Sequence, residues 1–485
     1  MSPKKIHGAV AALSALALLT ACTPADSDPD ATRDGAKTAE AEAAAEPVFR
    51  IGSVSEAEAA QATEQGSSAK ASNSTASATP TSTQTSAPQQ TGEVVEPGAE
   101  TTAAPGERIS LSVENAALSD ISITESDHPR IKTDPGVFFD TAGSELEAAD
   151  STEDAKAGSS TPSESASEDS DAITAPDDAA AWMSAYDLVA DSTYELSATA
   201  TSADGEEHDF TSTVTVSAGD ASPMAVRTIL SDDQTVGVGA PIILTFGSTV
   251  AKKYRDDVEH RLSVKVTDND GKKRKVEGSW AWLPDDPQSR LHFRPKEFWP
   301  AHSKVSVDVP LKNVPTTDDT VGQNDLTLDF DIGRKQVVKA DAKTHRMVVT
   351  RDGKEVMNFP ASLGAAKSPS YNGTHVVMSK ASDYTMTSEQ WDYETDVRWA
   401  VRIHNNGEFI HAAPWSTGVQ GSANVSHGCI NLSTERAKQY YDSAIFGDPV
   451  EITGSNATLS TAASDISDWV YEWDDWKKMS ALPTS

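Results

Sequence analysis

The sequence predicts a mainly β protein in which two small β-sandwiches follow a long low-complexity lead. Two observations carry this. From about residue 106 the chain alternates apolar and polar residues with period two, in runs separated by Gly, Asp and Asn, the pattern of antiparallel strands with one buried face. No convincing helical period competes with it across the first unit, and two sheets that each bury one face pack most simply as a sandwich.

In the first unit, 106–220, Ile109, Leu111 and Val113 alternate with Ser110 and Ser112, and Ile121 and Ile123 flank Ser122. The theme continues at 193–198 and 210–216. An insertion rich in Ser, Asp and Glu at about 145–176 is expected as a long acidic loop inside this domain. The second unit, 223–331, has strand candidates at 242–246 and 262–266, with Asp268-Asn269-Asp270-Gly271 as a turn. Trp280 and Trp282 share one face of a further strand, and Leu291, Phe293, Val305, Val307 and Val309 complete a core. Core packing is the expected role of the Trp pair, with sugar binding as the alternative. Neither unit carries a nucleophile–base pattern.

Composition narrows the function. Lys and Arg number 40 against 74 Asp and Glu, a net charge of −34, the opposite of the basic footprint that nucleic-acid binding needs. Much of the acid lies in low-complexity sequence, where solubility and self-repulsion account for it. After the N-terminus no run approaches the ~18 apolar residues of an internal membrane span. Two cysteines, Cys22 and Cys429, exclude a disulfide scaffold and the clustered thiolates of zinc ribbons and iron–sulfur sites.

Lys4 and Lys5 precede a short apolar run that reads as an export signal, 1–21. It ends at Leu19-Thr20-Ala21-Cys22, which resembles a bacterial lipobox. That resemblance implies lipidation of Cys22 and anchoring by acyl chains outside the cytoplasmic membrane. Residues 22–105 are mostly Ala, Ser, Thr, Glu, Gln and Pro, too poor in apolar surface to offset chain entropy, and are expected as a disordered tether.

The chemistry concentrates between residues 409 and 432. Cys429 is separated from His427 by Gly428 alone, and His411 lies 18 residues upstream of it. A free thiol is a poor nucleophile until a base or a positive field makes the thiolate, and a nearby histidine supplies either. Gly428 lets backbone approach the nucleophile, and N–H groups around Cys429 can then form an oxyanion hole. Ser433 or Thr434 is positioned to cap a helix, with Glu435 in its first turn. A structural Cys beside a packing His is the bland alternative.

His411 followed by Ser426-His427-Gly428-Cys429-x-Asn431 resembles the signature of L,D-transpeptidases with a YkuD-type catalytic domain. The match to the actinobacterial subgroup extends through Asn372-Gly373-Thr374, the stretch from Tyr393 to Ala400, and Ala413-Pro414-Trp415-Ser416. The architecture is similar too: lipobox, tether, two Ig-like sandwich domains, a β-rich catalytic domain at 333–453, and a Trp-rich extension at 454–485.

The resemblance implies a fold, a reaction and roles. Cys429 would be the nucleophile and His411 its base, oriented by the backbone carbonyl of Ala412, where relatives often have Ser. His427, Gly428 and the Cys429 N–H would shape the oxyanion pocket. Tyr393 would occupy the substrate-lid position, Met386 would pack beside the donor peptide, and Ser426, Asn431 and Trp415 would support substrate binding. His375 stands where relatives often have an aromatic. The implied reaction cross-links third-position diamino acids of peptidoglycan stem peptides with loss of D-Ala, without cofactor or metal, in an enzyme tethered to the membrane that reaches into the wall and is inhibited by carbapenems.

Other readings remain: an L,D-carboxypeptidase, a papain-like wall hydrolase (in which Cys usually precedes His), and a non-catalytic wall-binding lipoprotein. A zinc peptidase would need a fourth ligand and an HExxH motif. Trp469, Trp473 and Trp476 fall at i, i+4 and i+7, one helical face expected to fold back onto the catalytic or second Ig-like domain.

Overall fold

The computed structural model describes residues 45–55, 92–146, 172–284, 289–388, 393–461 and 465–483. The signal segment 1–21, with Cys22, lies outside them, as do residues 147–171 of the acidic insertion.

The first sandwich packs a six-stranded sheet on a five-stranded one. Its core joins Ile109, Leu111, Ile121, Trp182, Leu196, Phe210 and Val214. The hairpin of Thr193–Ser202 and Glu207–Val216 has the expected alternating burial. Glu145–Leu146 and Ile173–Thr174, on either side of the acidic insertion, belong to different sheets.

The domain begins much earlier than its sequence pattern predicts. Val48–Ser55 pairs antiparallel with Glu107–Glu114 along eight positions, and Ala99–Ala103 pairs with Glu207–Val216. The expected tether to residue 105 is therefore corrected: three of its segments, Val48–Ser55, Glu93–Val94 and Ala99–Ala103, are strands. Phe49, the one aromatic of 23–105, stacks on Phe210 at 4.6 Å, and Ile51 is buried beside it. Three anchoring side chains, with Val54 the third, suffice because the partner strand supplies the hydrogen bonds that an isolated polar segment lacks.

The second sandwich has two four-stranded sheets and a small three-stranded one. Trp280 and Trp282 are 6% and 5% exposed and pack with Phe293, Trp299 and Val305 to Val309, which is core packing. A buried ion cluster ties it to the first sandwich: Arg261 donates to Glu125 at 2.7 Å and to Asp257 at 2.8 Å.

The catalytic domain wraps a six-stranded sheet and a four-stranded sheet around one core. The four-stranded sheet runs Ser379–Ser388, Tyr393–Arg402, Phe409–Ala412, Ile430–Leu432. The helix Thr434–Ser443 buries Ala437 and Tyr440 against that core, and Ser433 is its N-cap, accepting the Arg436 N–H at 3.4 Å. Asp448, fully buried, takes both Arg334 N–H groups at 2.6 Å, and the Gly237 and Gly239 amides donate to the Phe446 and Gly447 carbonyls. A Cβ at Gly237 would lie 2.4 Å from the Asp448 nitrogen, so only glycine permits this approach of domain to domain.

The C-terminal extension folds back onto the second sandwich, but not as one helix. Asp468–Val470 is a 3-10 turn, Tyr471 and Glu472 are extended, and only Trp473–Lys477 is α-helical. Arg294 is the reason: its guanidinium sits 4.8, 5.2 and 4.9 Å from the rings of Trp469, Trp473 and Trp476, a cation ringed by three aromatic faces. Trp476 is fully buried and donates to the Ser279 carbonyl at 3.0 Å. Among the described residues no helix is long and apolar enough to cross a membrane.

Candidate active site

Two short parallel strands build the site. Phe409–Ala412 pairs with Ile430–Leu432 in the register Ile410↔Ile430, His411↔Asn431, Ala412↔Leu432. Side chains alternate across a sheet, so Ile410, Ala412, Ile430 and Leu432 enter the core. Phe409, His411, Asn431 and, just before its strand, Cys429 take the other face. There Cys429 packs with Phe409, Met386, Val397 and Ala400.

The nucleophile's turn is fixed from behind. Gly428 has φ +122°, a backbone that L side chains rarely adopt. Ser426 is buried and uses its hydroxyl on the turn, donating to the Cys429 carbonyl at 2.6 Å and accepting the Gly428 N–H at 3.2 Å. Ser370 donates to the Gly428 carbonyl, and Ser368 to the Ser426 carbonyl at 3.1 Å. Ser426 thus supports the turn rather than facing substrate. The Gly428 N–H is therefore already bonded within the turn.

His411 is buried, and its Nδ1–H donates to the Ala412 carbonyl at 2.9 Å. That bond assigns the hydrogen to Nδ1 and leaves a lone pair on Nε2, the atom a base uses. Asn431 reaches the ring from the neighbouring strand, and the exposed ring of Trp415 stands 6.2 Å from it. Burial pushes His411 down to about 4, against the Ala412 and Asn431 hydrogen bonds. Burial, with the Glu408 charge acting the same way, pushes the Cys429 thiol up to about 12. The thiol donates to the Gly407 carbonyl at 3.6 Å. The resting pair is a neutral thiol and a neutral imidazole, because a desolvated site disfavours both charged forms.

A cleft of about 450 Å³ opens beside the turn, with Tyr384, Met386, Arg402, Glu408, His427 and Gly428 in its wall. His427 is exposed at the rim. Tyr393 opens its strand opposite Ser388, and its side chain lies outside the described residues. The sequence reading missed Arg402, His404 and Glu408, and Ser370 beneath the turn. Arg402 donates to the Tyr384 hydroxyl at 2.8 Å and stacks 4.5 Å from the Phe409 ring. The clue available was the density of titratable groups around Asn405-Asn406-Gly407.

Cys429 is the free cysteine among the described residues, and it shares one sheet face with the buried His411, which makes the pair the candidate centre of a cysteine-nucleophile site on a two-sheet scaffold. Residues 335–452 match the family model of the L,D-transpeptidase catalytic domain, and residues 163–315 match a bacterial Ig domain. The chain is 47% identical to L,D-transpeptidase 5 of Mycobacterium tuberculosis over 60% of its own length and 64% of that protein. It is 32% identical to L,D-transpeptidase 1 of the same organism, over 45% of its own length and 80% of that protein. Against probable L,D-transpeptidase 3 the identity is 32%, over 47% and 85%. Among solved structures, LdtMt1 in complex with imipenem is 30% identical, covering 48% of this chain and 100% of that one with a TM-score of 0.39. The chain belongs to the L,D-transpeptidase family. It spans less than two thirds of the first of these relatives, 64% of its length.

Proposed function

We propose that this protein is a peptidoglycan L,D-transpeptidase, an acyltransferase that joins the third-position diamino acids of two stem peptides. The observation that carries the reading is the face shared by Cys429 and His411, with His411 oriented by the Ala412 carbonyl and a cleft of about 450 Å³ opening beside the Cys429 turn.

In this reading the Cys429 thiol swings from the Gly407 carbonyl and attacks the third-residue carbonyl of a tetrapeptide stem while His411 Nε2 takes its proton. The Cys429 N–H stabilises the oxyanion. Collapse breaks the bond to D-Ala, whose nitrogen takes the proton from His411, and a thioester remains. A side-chain amine of a second stem attacks it, gives its proton to His411, and the sulfur leaves and is reprotonated. One peptide bond is broken and one made, so no ATP is consumed. Met386 packs beside the donor peptide, Tyr393 covers it, and Trp415 flanks the base. A carbapenem, entering as a mimic of the donor, acylates the same sulfur.

Incubation with a disaccharide-tetrapeptide tests this. Mass spectrometry is expected to find loss of D-Ala with a cross-linked dimer. Loss of D-Ala without dimer would mean an L,D-carboxypeptidase, and no loss would mean a non-catalytic wall protein.

We place the enzyme on the outer face of the cytoplasmic membrane, anchored through lipidated Cys22, with peptidoglycan in reach. The support is the Leu19-Thr20-Ala21-Cys22 tetrad after an apolar run. The stretch left to serve as tether ends before Val48. Cys22→Ala is expected to move the protein from the membrane to the soluble fraction; a parent protein already soluble would overturn the anchor.

A further inference from the structure

Behind the Cys429 turn three buried polar atoms have no hydrogen-bond partner: Glu408 Oε2, His375 Nδ1 and His404 Nε2. They form one group. The His375 and His404 rings are 5.6 Å apart, and His375 Nδ1 is 4.0 Å from Glu408 Oε2. Leaving such atoms unpaired forfeits their hydration without replacement, so three together in one place require an explanation.

Their neighbours assign the protons. His375 Nε2 faces the Tyr371 carbonyl at 3.0 Å, so Nε2 carries the hydrogen and Nδ1 presents its lone pair. His404 Nδ1 accepts the Asn406 N–H at 3.2 Å, so its hydrogen is on Nε2. Glu408 Oε1 accepts the Tyr371 N–H at 3.2 Å. Glu408 Oε2 and His375 Nδ1 are then two acceptors 4.0 Å apart, too far for a hydrogen bond, so Oε2 finds no donor there that would stabilise a buried carboxylate. Among the described residues no group of three His, Cys, Asp or Glu is arranged to hold a metal, and His404 Nε2, with its hydrogen, offers no lone pair.

The carboxyl also touches the nucleophile's turn. Glu408 Oε1 lies 3.4 Å from where a Cβ on Gly428 would stand, and Glu408 forms part of the cleft wall. We propose that Glu408 is a positioning residue of the acyl-transfer site, kept a neutral acid by its buried, donor-poor place behind the turn so that no negative charge stands beside Cys429 while thiolate and oxyanion develop. The proposal rests on the acyl-transfer reading given above.

Every group around Glu408 fits. From the strand Tyr371–Val376 come His375 and the Tyr371 backbone. From the turn before Phe409 come His404 and Asn406, whose Oδ1 accepts the Glu408 N–H at 3.1 Å. From the turn after Ser426 come Cys429 and, at the rim, His427; Arg402 and Lys367 bring the positive charges of the cleft wall. Burial pushes Glu408 up to about 8, above the usual carboxylate range, and holds His375 down to about 4. The sign follows. Below about 8 the carboxyl is neutral and the site works; as pH rises through about 8 it ionises, and a like charge next to sulfur and oxyanion disfavours both.

Glu408→Gln tests this, because the amide keeps the shape of the side chain without ionising. Alkylation of Cys429 by iodoacetamide needs no substrate and is read alongside D-Ala release from a disaccharide-tetrapeptide. Parent and variant are expected to alkylate alike at pH 6.5, with the variant on the order of tenfold faster at pH 9. The parent's kcat/KM for D-Ala release is expected to fall above about pH 8, and the variant's to stay level. An unchanged alkaline fall in the variant overturns the proposal. So does a folded variant that alkylates normally yet releases no D-Ala at any pH, since the carboxyl would then be a proton donor to substrate. Should the variant fail to fold, the infrared band of a protonated carboxyl in the parent, expected at pH 6.5 and lost by pH 9, decides; its absence at pH 6.5 overturns the proposal. If alkylation behaves as expected while the parent releases no D-Ala, Glu408 keeps its role and the functional reading is what fails.

Discussion

Replacing Cys429 with Ala is expected to abolish both cross-linking and drug adduct, the largest effect any single change should have. The nucleophile forms the covalent intermediate, and no other described side chain on that face can replace it. A fall in kcat on the order of 10⁴–10⁶ is the scale for removing a covalent nucleophile. The direct measurement is intact mass after exposure to a carbapenem: the parent should gain one drug mass and the Ala variant none. The variant should fold, because Sγ makes one weak hydrogen bond at 3.6 Å and the turn is held by Ser426, Ser368 and Ser370 instead. An adduct on the Ala variant would remove Cys429 from the mechanism.

His411→Ala should come next, lowering kcat/KM about 10²–10⁴-fold, the usual contribution of a general base. The loss should be large because the site holds no standing thiolate: with the thiol up at about 12 and His411 down at about 4, the proton must move during attack. The pH profile follows from those directions. His411 accepts a proton only while neutral, so activity should persist well below pH 6 and fail as pH drops through about 4, an unusually low acid limb. Kinetics of D-Ala release from pH 3.5 to 7 measure it. An acid limb near the ordinary histidine value of about 6.5 would mean that the ring is solvated in the working enzyme. If His427→Ala rather than His411→Ala destroyed D-Ala release, the two histidines would have to exchange roles.

Thiol labelling at neutral pH would therefore mislead as a test of catalysis in this protein. Cys429 is 7% exposed, and its burial stabilises the neutral thiol. Slow labelling is the expected behaviour of a nucleophile that ionises only as its substrate arrives, which is why Glu408 matters most at alkaline pH.

Local sequence determined the parts of this protein that depend on neighbours in the chain. The Ser433 cap, the hairpin of Thr193–Ser202 and Glu207–Val216, the core placement of Trp280 and Trp282, and the Cys429–Gly428–His427 cluster with His411 all follow from spacing and alternation, because turns, caps and strand faces are decided within a few residues. Tertiary structure decided the rest. Val48–Ser55 is a strand because Glu107–Glu114 offers it a ladder and Phe210 a ring to stack on, neither visible from those eight residues alone. The three tryptophans abandon a common helix because Arg294, far away in sequence, collects them. His375, His404 and Glu408 meet only once the sheets are assembled, and the protonation states of Cys429, His411 and Glu408 are set by burial. Desolvation depends on what the whole fold places around a group, so no reading along the chain supplies it.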